Sequence, residues 1–293
     1  FQVTRMTVSK SYTKPNRSKP SPTPAAAASN LADYRLPEQQ DPPLSPRETL
    51  PTMYDLPCEY PEEPGLPDEF HILQPDLLSV TLHLPDYAGN HFVGTDLNVY
   101  YDVRHPLWHK RPDWFLSVGV PRLYDGHDLR RSYVVWQEGV SPLVAVELIS
   151  PGTEKEDLGE TKSLAGAPLT KWEVYEKILR IPYYIVYDRY TDKLRAFHLE
   201  GEQYKPLSIV DNKIWIPGIK LGLGCWVGSY RGLNRCWLRW FDENDQWLQT
   251  PKEQAEAKAQ QAEAEAQRAE SAEAALALLQ EKLRAQGINP DEL

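Results

Sequence analysis

Two acidic residues and one lysine stand out because of where they lie in the hydrophobic pattern. Asp113 comes directly before an apolar run, and Glu147 interrupts the apolar run at 143–149, where a buried charge is costly unless it is paired or bound to a metal. An Asp and a Glu on neighbouring strands can share a hard divalent cation such as Mg²⁺, which prefers oxygen ligands. Lys171 begins a later helical segment, from which it can point back to the sheet and act on a water or a phosphate. In this order the three residues indicate metal-assisted hydrolysis of a phosphodiester.

Each of these residues also has an ordinary structural interpretation. An Asp after a proline, as at Asp113, is common in turns. Glu147 can lie at a strand end in an ion pair, and Lys171 can be a solvated helix residue. Only the ordered combination of the three raises the hydrolase hypothesis above these alternatives.

Basic residues close to Asp113 in the sequence are candidates for contacts with a substrate phosphate. Two precede Asp113 and two lie in the next connection: Lys110, Arg111, Arg130 and Arg131. A short basic cluster of this kind is more often a solvated loop. Beside a metal site it would suit binding of a nucleic-acid backbone.

The elements that must position these residues follow from hydrophobic periodicity. Apolar or alternating runs predict strands at 97–103, 114–120, 132–137, 143–149, 183–188 and 194–199. Helical spacing predicts a first helix that begins near Pro67 or Asp68 and reaches Leu82, and a second helix at 168–179 with Thr170 as its cap. Strands and helices in this order predict an α/β or α+β body with a sheet of five or six strands.

Three further segments differ from this body in composition. Of the 26 prolines, 13 lie in residues 1–67, and residues 1–32 carry five bases and no acid, so we predict a disordered leader over 1–50. Residues 203–250 hold five tryptophans among glycines and predict short β-segments packed on the body. Residues 252–286 lack Gly and Pro and are rich in Ala, Glu and Gln, which predicts a long helix and allows a weakly specified coiled coil.

Charge and cysteine content exclude several classes of protein. The net charge of −10 argues against a protein that coats nucleic acid electrostatically, although an enzyme can still bind a backbone through a local patch. Three scattered cysteines are too few for a disulfide framework or a zinc site. Without an apolar run long enough for a membrane span, or a secretory signal, we expect a cytoplasmic protein with no membrane partner.

Several segments together resemble a known family. Residues 144–153 with 157–160 look like the VEVLSPST…DRGEK signature of the Uma-type restriction endonucleases, which belong to the PD-(D/E)XK nuclease superfamily. The segment 171–175 is similar to the family's K-x-x-x-Y, and 183–188 resembles its EYWLVD strand. The segment 111–115 resembles its PD-containing strand. The resemblance covers roughly residues 68–200.

This resemblance implies a restriction-endonuclease-like core, in which a mixed central sheet is flanked by helices. It implies that Asp113 and Glu147 hold Mg²⁺, with Mn²⁺ as an alternative. The superfamily lysine normally lies two residues after the acid, where this chain has Ile149. Lys171 takes its place if residues 161–170 are an insertion; otherwise Thr161 occupies the position, with Lys162 adjacent.

Several superfamily members also use an acid from the first helix. Glu69 is the candidate for that role here, with Asp76 as the alternative. The dipole alone also favours an acid in the first turn of a helix.

The sequence therefore predicts a Mg²⁺-dependent endonuclease that acts on DNA, with Asp113, Glu147 and Lys171 as its catalytic residues and a homodimer as one form it can take. We expect a leader at 1–50, a nuclease-like domain at 51–250 and a helical segment at 251–293. The alternative is a nuclease-derived interaction protein that has lost cleavage and that oligomerises or docks through its C-terminal helix.

Overall fold

A six-stranded mixed sheet lies at the centre of the computed structural model, which describes residues 68–150, 153–163 and 168–285. The predicted disordered leader at 1–50 lies outside the described residues. The predicted mixed central sheet with flanking helices and a long C-terminal helix is confirmed. No helix within the described ranges has both the length and the apolar character needed to cross a membrane.

The helices and strands follow one another in this order. The first half contains α1 (Glu69–Thr81), β1 (His91–Thr95), β2 (Val99–Tyr100), β3 (His109–Lys110), β4 (Trp114–Val118), β5 (Tyr133–Val134), α2 (Val135–Glu138) and β6 (Val144–Leu148). The second half contains α3 (Glu154–Asp157), α4 (Lys171–Glu173), β7 (Tyr183–Asp188), β8 (Lys193–Glu200), β9 (Gln203–Pro206), β10 (Lys213–Ile216), β11 (Leu221–Tyr230), β12 (Leu233–Phe241) and α5 (Pro251–Ala285).

The order of strands in the central sheet is β1-β4-β6-β7-β8-β9. Only β6 and β7 run parallel; the other neighbours are antiparallel. The β6 strand is buried along its whole length, as its continuous apolar sequence predicts for a central strand. In β8 the alternating pattern buries Leu194 and Ala196, as expected for a half-exposed strand.

One face of the sheet is covered by α1 and by a second sheet of strands β10-β11-β12. Its core is aromatic: Trp114, Trp237 and Trp240 are fully buried. The two covering elements are joined by Gln74 of α1, whose amide donates to Leu238 O and accepts from Leu238 N, each at 2.8 Å. A buried side-chain amide paired to the backbone in this way fixes α1 against β12.

The other face carries a separate core beneath the segment 171–179. Tyr175 and Tyr184 are fully buried there, together with Phe115 and Tyr133. The helix α4 continues directly into a π-helical turn at Val174–Ile178. π-helical turns are rare in proteins, and those that occur are often found at functional sites.

Three predictions of secondary structure are wrong in detail. Of the predicted 97–103 strand, only Val99–Tyr100 is a strand. Only Tyr133–Val134 of the predicted 132–137 strand is extended, because the following residues turn into α2, which Gly139 ends in the left-handed conformation at φ 71°. In 203–250 the β-segments are not all short, because β11 and β12 form a long hairpin. Gly222 lies inside β11 rather than in a turn, where an added Cβ would be 1.9 Å from the Phe241 ring.

Candidate active site

The two predicted acids meet where β4 begins and β6 ends. The pairing of Trp114 with Val146 places Asp113 beside Glu147 at the next position of the ladder. Glu147 is fully buried, and Asp113 accepts a hydrogen bond of 2.6 Å at Oδ2 from the Leu148 N–H. The strand register therefore brings together two carboxylates that are 34 residues apart in the sequence.

Lys171 points into this pair from the start of α4. Its Nζ donates to Glu147 Oε2 at 2.9 Å and lies 3.2 Å from Asp157 Oδ1, and its side chain is 17% exposed. Thr170 and Glu173 form a capping box that sets the direction of this helix start. The Lys171 backbone N–H donates to Glu156 Oε1 at 2.7 Å. The helix start is thus held on both sides, and the lysine faces the sheet.

Tyr175 provides the second hydrogen bond to the Glu147 carboxylate. Its hydroxyl donates to Glu147 Oε1 at 2.8 Å from within the π-helical turn. Both oxygens of the buried carboxylate are therefore hydrogen bonded, as a buried charge requires. Charge-assisted hydrogen bonds of this type are stronger than neutral ones and hold the carboxylate in a single orientation.

Asp157 is a third carboxylate of the site, to which the sequence interpretation gave no role. It is buried, and neither side-chain oxygen has a hydrogen-bond partner among the described residues, because its 3.2 Å approach to Lys171 Nζ lacks hydrogen-bond geometry. Its backbone oxygen accepts from the Tyr184 hydroxyl at 2.8 Å. A signal existed, since Asp157 begins the second half of the quoted signature motif.

His71 of α1 is a second residue that the sequence interpretation missed. Its Nδ1 lies 2.9 Å from Asp68 Oδ1 and its Nε2 lies 3.0 Å from Leu148 O. Both neighbours are hydrogen-bond acceptors, which favours the doubly protonated ring. Burial by itself lowers the pKa of His71, but the hydrogen bond to Asp68 and the charge of Asp113 raise it above its usual value. No helical or strand periodicity distinguishes such a residue from a core histidine.

The electrostatics of the site are dominated by an excess of carboxylates. Burial raises the pKa of Glu147 well above its usual value, against the Lys171 ammonium, and it also raises the pKa of Asp113. Burial by itself would lower the pKa of Lys171, but the carboxylates of Asp157, Glu147 and Asp113 raise it well above its usual value. The surrounding acids therefore favour the protonated form of Lys171.

A family comparison accords with this geometry. A family model described as "Uma2: Putative restriction endonuclease" matches residues 48–227, which is more than half of the chain. The chain belongs to the Uma2 family. This membership supports a nuclease function and hence a hydrolase.

None of the curated proteins matches the chain. Among solved structures, the chain is similar to the "Crystal structure of a putative nuclease belonging to DUF820 from Anabaena variabilis ATCC 29413", with 11% identity and a TM-score of 0.39. That similarity covers 54% of this chain and 77% of the other.

The donor set of this Uma2 site fits a hard divalent cation. Glu147 and Asp157 pair with one ammonium, and Asp113 lies beside Glu147 at the end of the ladder. The oxygens of Asp157 lack hydrogen-bond donors within the described ranges. Restriction-endonuclease-like families generally use divalent metals. In the part of the chain that the structure describes, no group of three or more His, Cys, Asp or Glu is placed so that it could hold a metal ion. Mg²⁺ does not require such a group, because it is held by one or two carboxylates together with waters and substrate phosphates.

The remaining positions considered for the lysine and for the first-helix acid lie elsewhere. Ile149 is buried in the apolar core beside Tyr175, so a lysine there would face hydrophobic side chains. Lys162 is exposed. Glu69 is also exposed, and Asp76 bonds to the hydroxyl of Tyr230 at the distant β11–β12 hairpin. The first helix instead contributes His71.

The four candidates for phosphate contacts are placed differently from one another. Lys110 Nζ donates to Glu156 Oε1 at 3.1 Å, the oxygen that also accepts from the Lys171 N–H. Arg111 is half-exposed and paired with Asp96, and Arg131 is exposed. Arg130 is 1% exposed and forms a bidentate pair with Glu138. Its guanidinium therefore supports the loop and is not presented to solvent.

Proposed function

We propose that this chain is a divalent-metal-dependent endonuclease that hydrolyses DNA phosphodiester bonds. The observation that carries the proposal is the convergence of Asp113, Glu147 and Lys171 at adjacent strand ends. A carboxylate pair with a neighbouring cation is the arrangement that phosphodiester hydrolysis needs, because negative charge develops on the phosphate in the transition state. Membership of the Uma2 family supports the same reaction class.

Each residue has a defined role in this proposal. Asp113 and Glu147 would hold Mg²⁺ or Mn²⁺, which when bound polarises the phosphate and lowers the pKa of a coordinated water. Lys171 carries a proton that its surrounding carboxylates retain, so it orients the attacking water and neutralises phosphate charge rather than accepting a proton. Tyr175 keeps Glu147 in position. Lys110, Arg111 and Arg131 are the proposed phosphate contacts, whereas Arg130 is left out because it is buried.

The direct test is cleavage of supercoiled plasmid DNA with Mg²⁺ or Mn²⁺. Glu147→Gln keeps the shape of the side chain but removes its charge, so we expect it to abolish cleavage. Glu176→Gln is a matched control, since Glu176 is also buried and accepts a hydrogen bond, from Tyr204 N, at a different place. Plasmid cleavage by Glu147→Gln at the rate of the parent would contradict the site assignment.

The C-terminal helix favours a second candidate, an interaction protein that assembles through α5. No residue of this 35-residue helix is buried. Five apolar residues recur at every seventh position, as expected for one of the two core positions of a coiled-coil heptad: Ala255, Ala262, Ala269, Leu276 and Leu283. A homodimer formed along this seam is compatible with either function.

Sedimentation equilibrium tests the homodimer, with the double variant Leu276→Glu/Leu283→Glu as its comparison. We expect the parent to dimerise and the variant to be monomeric, because two charges would enter the apolar seam. A monomeric parent would remove the homodimer from the proposal. A dimeric parent that cleaves no DNA with either metal would favour the interaction protein.

A further inference from the structure

The connection between β2 and β3 forms an ordered tip over residues 101–108. The Asp102 carboxylate accepts from the Arg104 N–H and from His105 Nδ1, each at 2.9 Å. The His105 ring stacks on Trp108, with 3.9 Å between ring centroids and 10° between planes. Two backbone hydrogen bonds, from His105 N to Asp102 O and from Trp108 N to His105 O, close the turn. The tip is therefore preorganised.

This tip presents apolar side chains to solvent. Leu107 is 81% exposed, the highest value among the large hydrophobic residues of the described ranges, and Val103 beside it is also exposed. The Arg104 side chain is 83% exposed. These two aliphatic side chains and the arginine do not pack against the hydrophobic core. They therefore do not contribute to the stability of the core.

The base of the same hairpin is connected to the candidate active site. Lys110 of β3 donates to Glu156 Oε1, and this oxygen also accepts the backbone N–H of Lys171. Asp113 follows β3 after only two residues. A substrate bound along the hairpin would therefore also lie next to the carboxylates of the site.

The hairpin and the residue after it (99–111) carry three cationic residues and one acid, although the whole chain carries −10. Its only carboxylate, Asp102, is occupied by hydrogen bonds within the turn. Arg104 pairs with Asp102 but keeps 83% of its side chain exposed, whereas Lys110 and Arg111 at the base are paired with Glu156 and Asp96. Two-stranded ribbons enter the grooves of duplex DNA, and apolar wedges with flanking basic residues insert between base steps.

We propose that the 101–108 tip is a DNA-engaging wedge, in which Leu107 and Val103 contact a base step while Arg104 contacts a flanking phosphate. This inference rests on the proposed function for its choice of partner. The wedge residues lie outside the carboxylate cluster, so they can be varied without changing that cluster.

The test uses the full chain with Glu147→Gln, which binds without cleaving, and a duplex that carries 2-aminopurine. We expect binding of this Glu147→Gln protein to the duplex to raise 2-aminopurine fluorescence, because the inserted side chain unstacks the base. Leu107→Ser should abolish this rise and weaken the affinity about tenfold. Arg104→Gln should lower the slope of log Kd against log salt by about one, the effect of losing one phosphate contact.

The control is Leu129→Ser, since Leu129 is 64% exposed in a neighbouring connection and takes no part in the tip. It should leave both the fluorescence rise and the affinity unchanged. An equal loss with Leu129→Ser, unchanged binding with Leu107→Ser and Arg104→Gln, or no duplex binding at all would each overturn the wedge.

Cleavage by the chain with native Glu147 separates this inference from the proposed function. If that chain cleaves plasmid while Leu107→Ser and Arg104→Gln have the same KM for a short duplex, the wedge is wrong and the nuclease stands. If it cleaves nothing but the fluorescence rise depends on Leu107, the nuclease is wrong and the wedge stands as a DNA-binding element.

Discussion

The candidate active site and the C-terminal helix are both rich in charged residues, but they differ in how far these residues are buried. At the site Glu147 and Asp157 are buried, and Lys171 is nearly so, with each charge opposite another. In α5 no residue is buried, and apart from Glu253, which pairs with Arg239 of β12, its charged side chains lie on the surface. The comparison separates charges that the fold must neutralise from charges that only keep a helix solvated.

The physical consequence is a difference in how strongly each region constrains its residues. Removing one partner of a buried ion pair leaves an uncompensated charge in a low-dielectric environment. Exposed pairs contribute little because water already solvates both partners. The site therefore depends on the identity of each residue, whereas α5 depends mainly on helix propensity, and the following changes test this difference.

The largest effect is expected for Lys171→Met, which leaves the Glu147 and Asp157 carboxylates without their ammonium. We expect a loss of about 3–5 kcal/mol in the free energy of unfolding, measured by urea denaturation at pH 7. The matched change in the helix, Lys258→Met, should stay within about 0.5 kcal/mol of the parent. Equal losses at the two positions would contradict the comparison.

Tyr175→Phe should have the next largest effect. The substitution removes the donor to Glu147 Oε1 while it keeps the ring in place, so we expect a loss of about 1–3 kcal/mol by the same measurement. Tyr124→Phe removes a hydroxyl from an exposed residue and should change stability by less than about 0.5 kcal/mol. A stability of Tyr175→Phe equal to that of the parent would mean that the buried carboxylate does not need this donor.

A smaller and pH-dependent effect is expected for Asp68→Asn. Burial alone would raise the pKa of Asp68, but the hydrogen bond from His71 and the charge of Arg189 lower it from 3.8 to about 2. Because the folded-state pKa lies below the unfolded value, the stabilisation is present above about pH 4 and is lost as the pH falls through 2. Denaturation of parent and variant between pH 7 and pH 2 should therefore give a difference that disappears at the acid end, and a constant difference would refute this account.

The smallest effect on the body is expected for Ala274→Gly in α5. Glycine costs about 1 kcal/mol relative to alanine in a helix interior, so helix content measured by circular dichroism should fall. The cost should remain local, because Ala274 is exposed and packs on nothing in the body. Plasmid cleavage should match that of the parent; reduced cleavage would show that the helix supports the site.

The sequence was most informative where one local pattern sufficed. A charge in an apolar run marked Glu147, and the Pro-Asp step before a strand marked Asp113, because both signals lie within a few residues. The capping residue Thr170 and the long C-terminal helix were predictable for the same reason. Placing Lys171 required the assumption of an inserted segment, and the structure brings it to Glu147.

The residues that were missed depend on contacts between distant parts of the chain. His71 is 77 residues from the carbonyl oxygen of Leu148, and Arg130 belongs to a buried pair that its basic surroundings in the sequence did not reveal. Asp157 is buried because Lys171 and Tyr184 converge on it from other elements. The local hydrophobic periodicity of a sequence does not predict such contacts between distant segments.

The amino-acid sequence by itself determined the family, the α/β class, the two strand-end carboxylates and the C-terminal helix. These properties follow from hydrophobic period, capping and local motif, which act over a few residues. Only the tertiary structure decided that the Glu147 and Asp157 carboxylates share one ammonium, that His71 contacts the end of β6, and that the Arg130 side chain is buried. Burial and pairing of charge are set by the whole fold, because the cost of desolvation at one residue depends on neighbours that the sequence places far away.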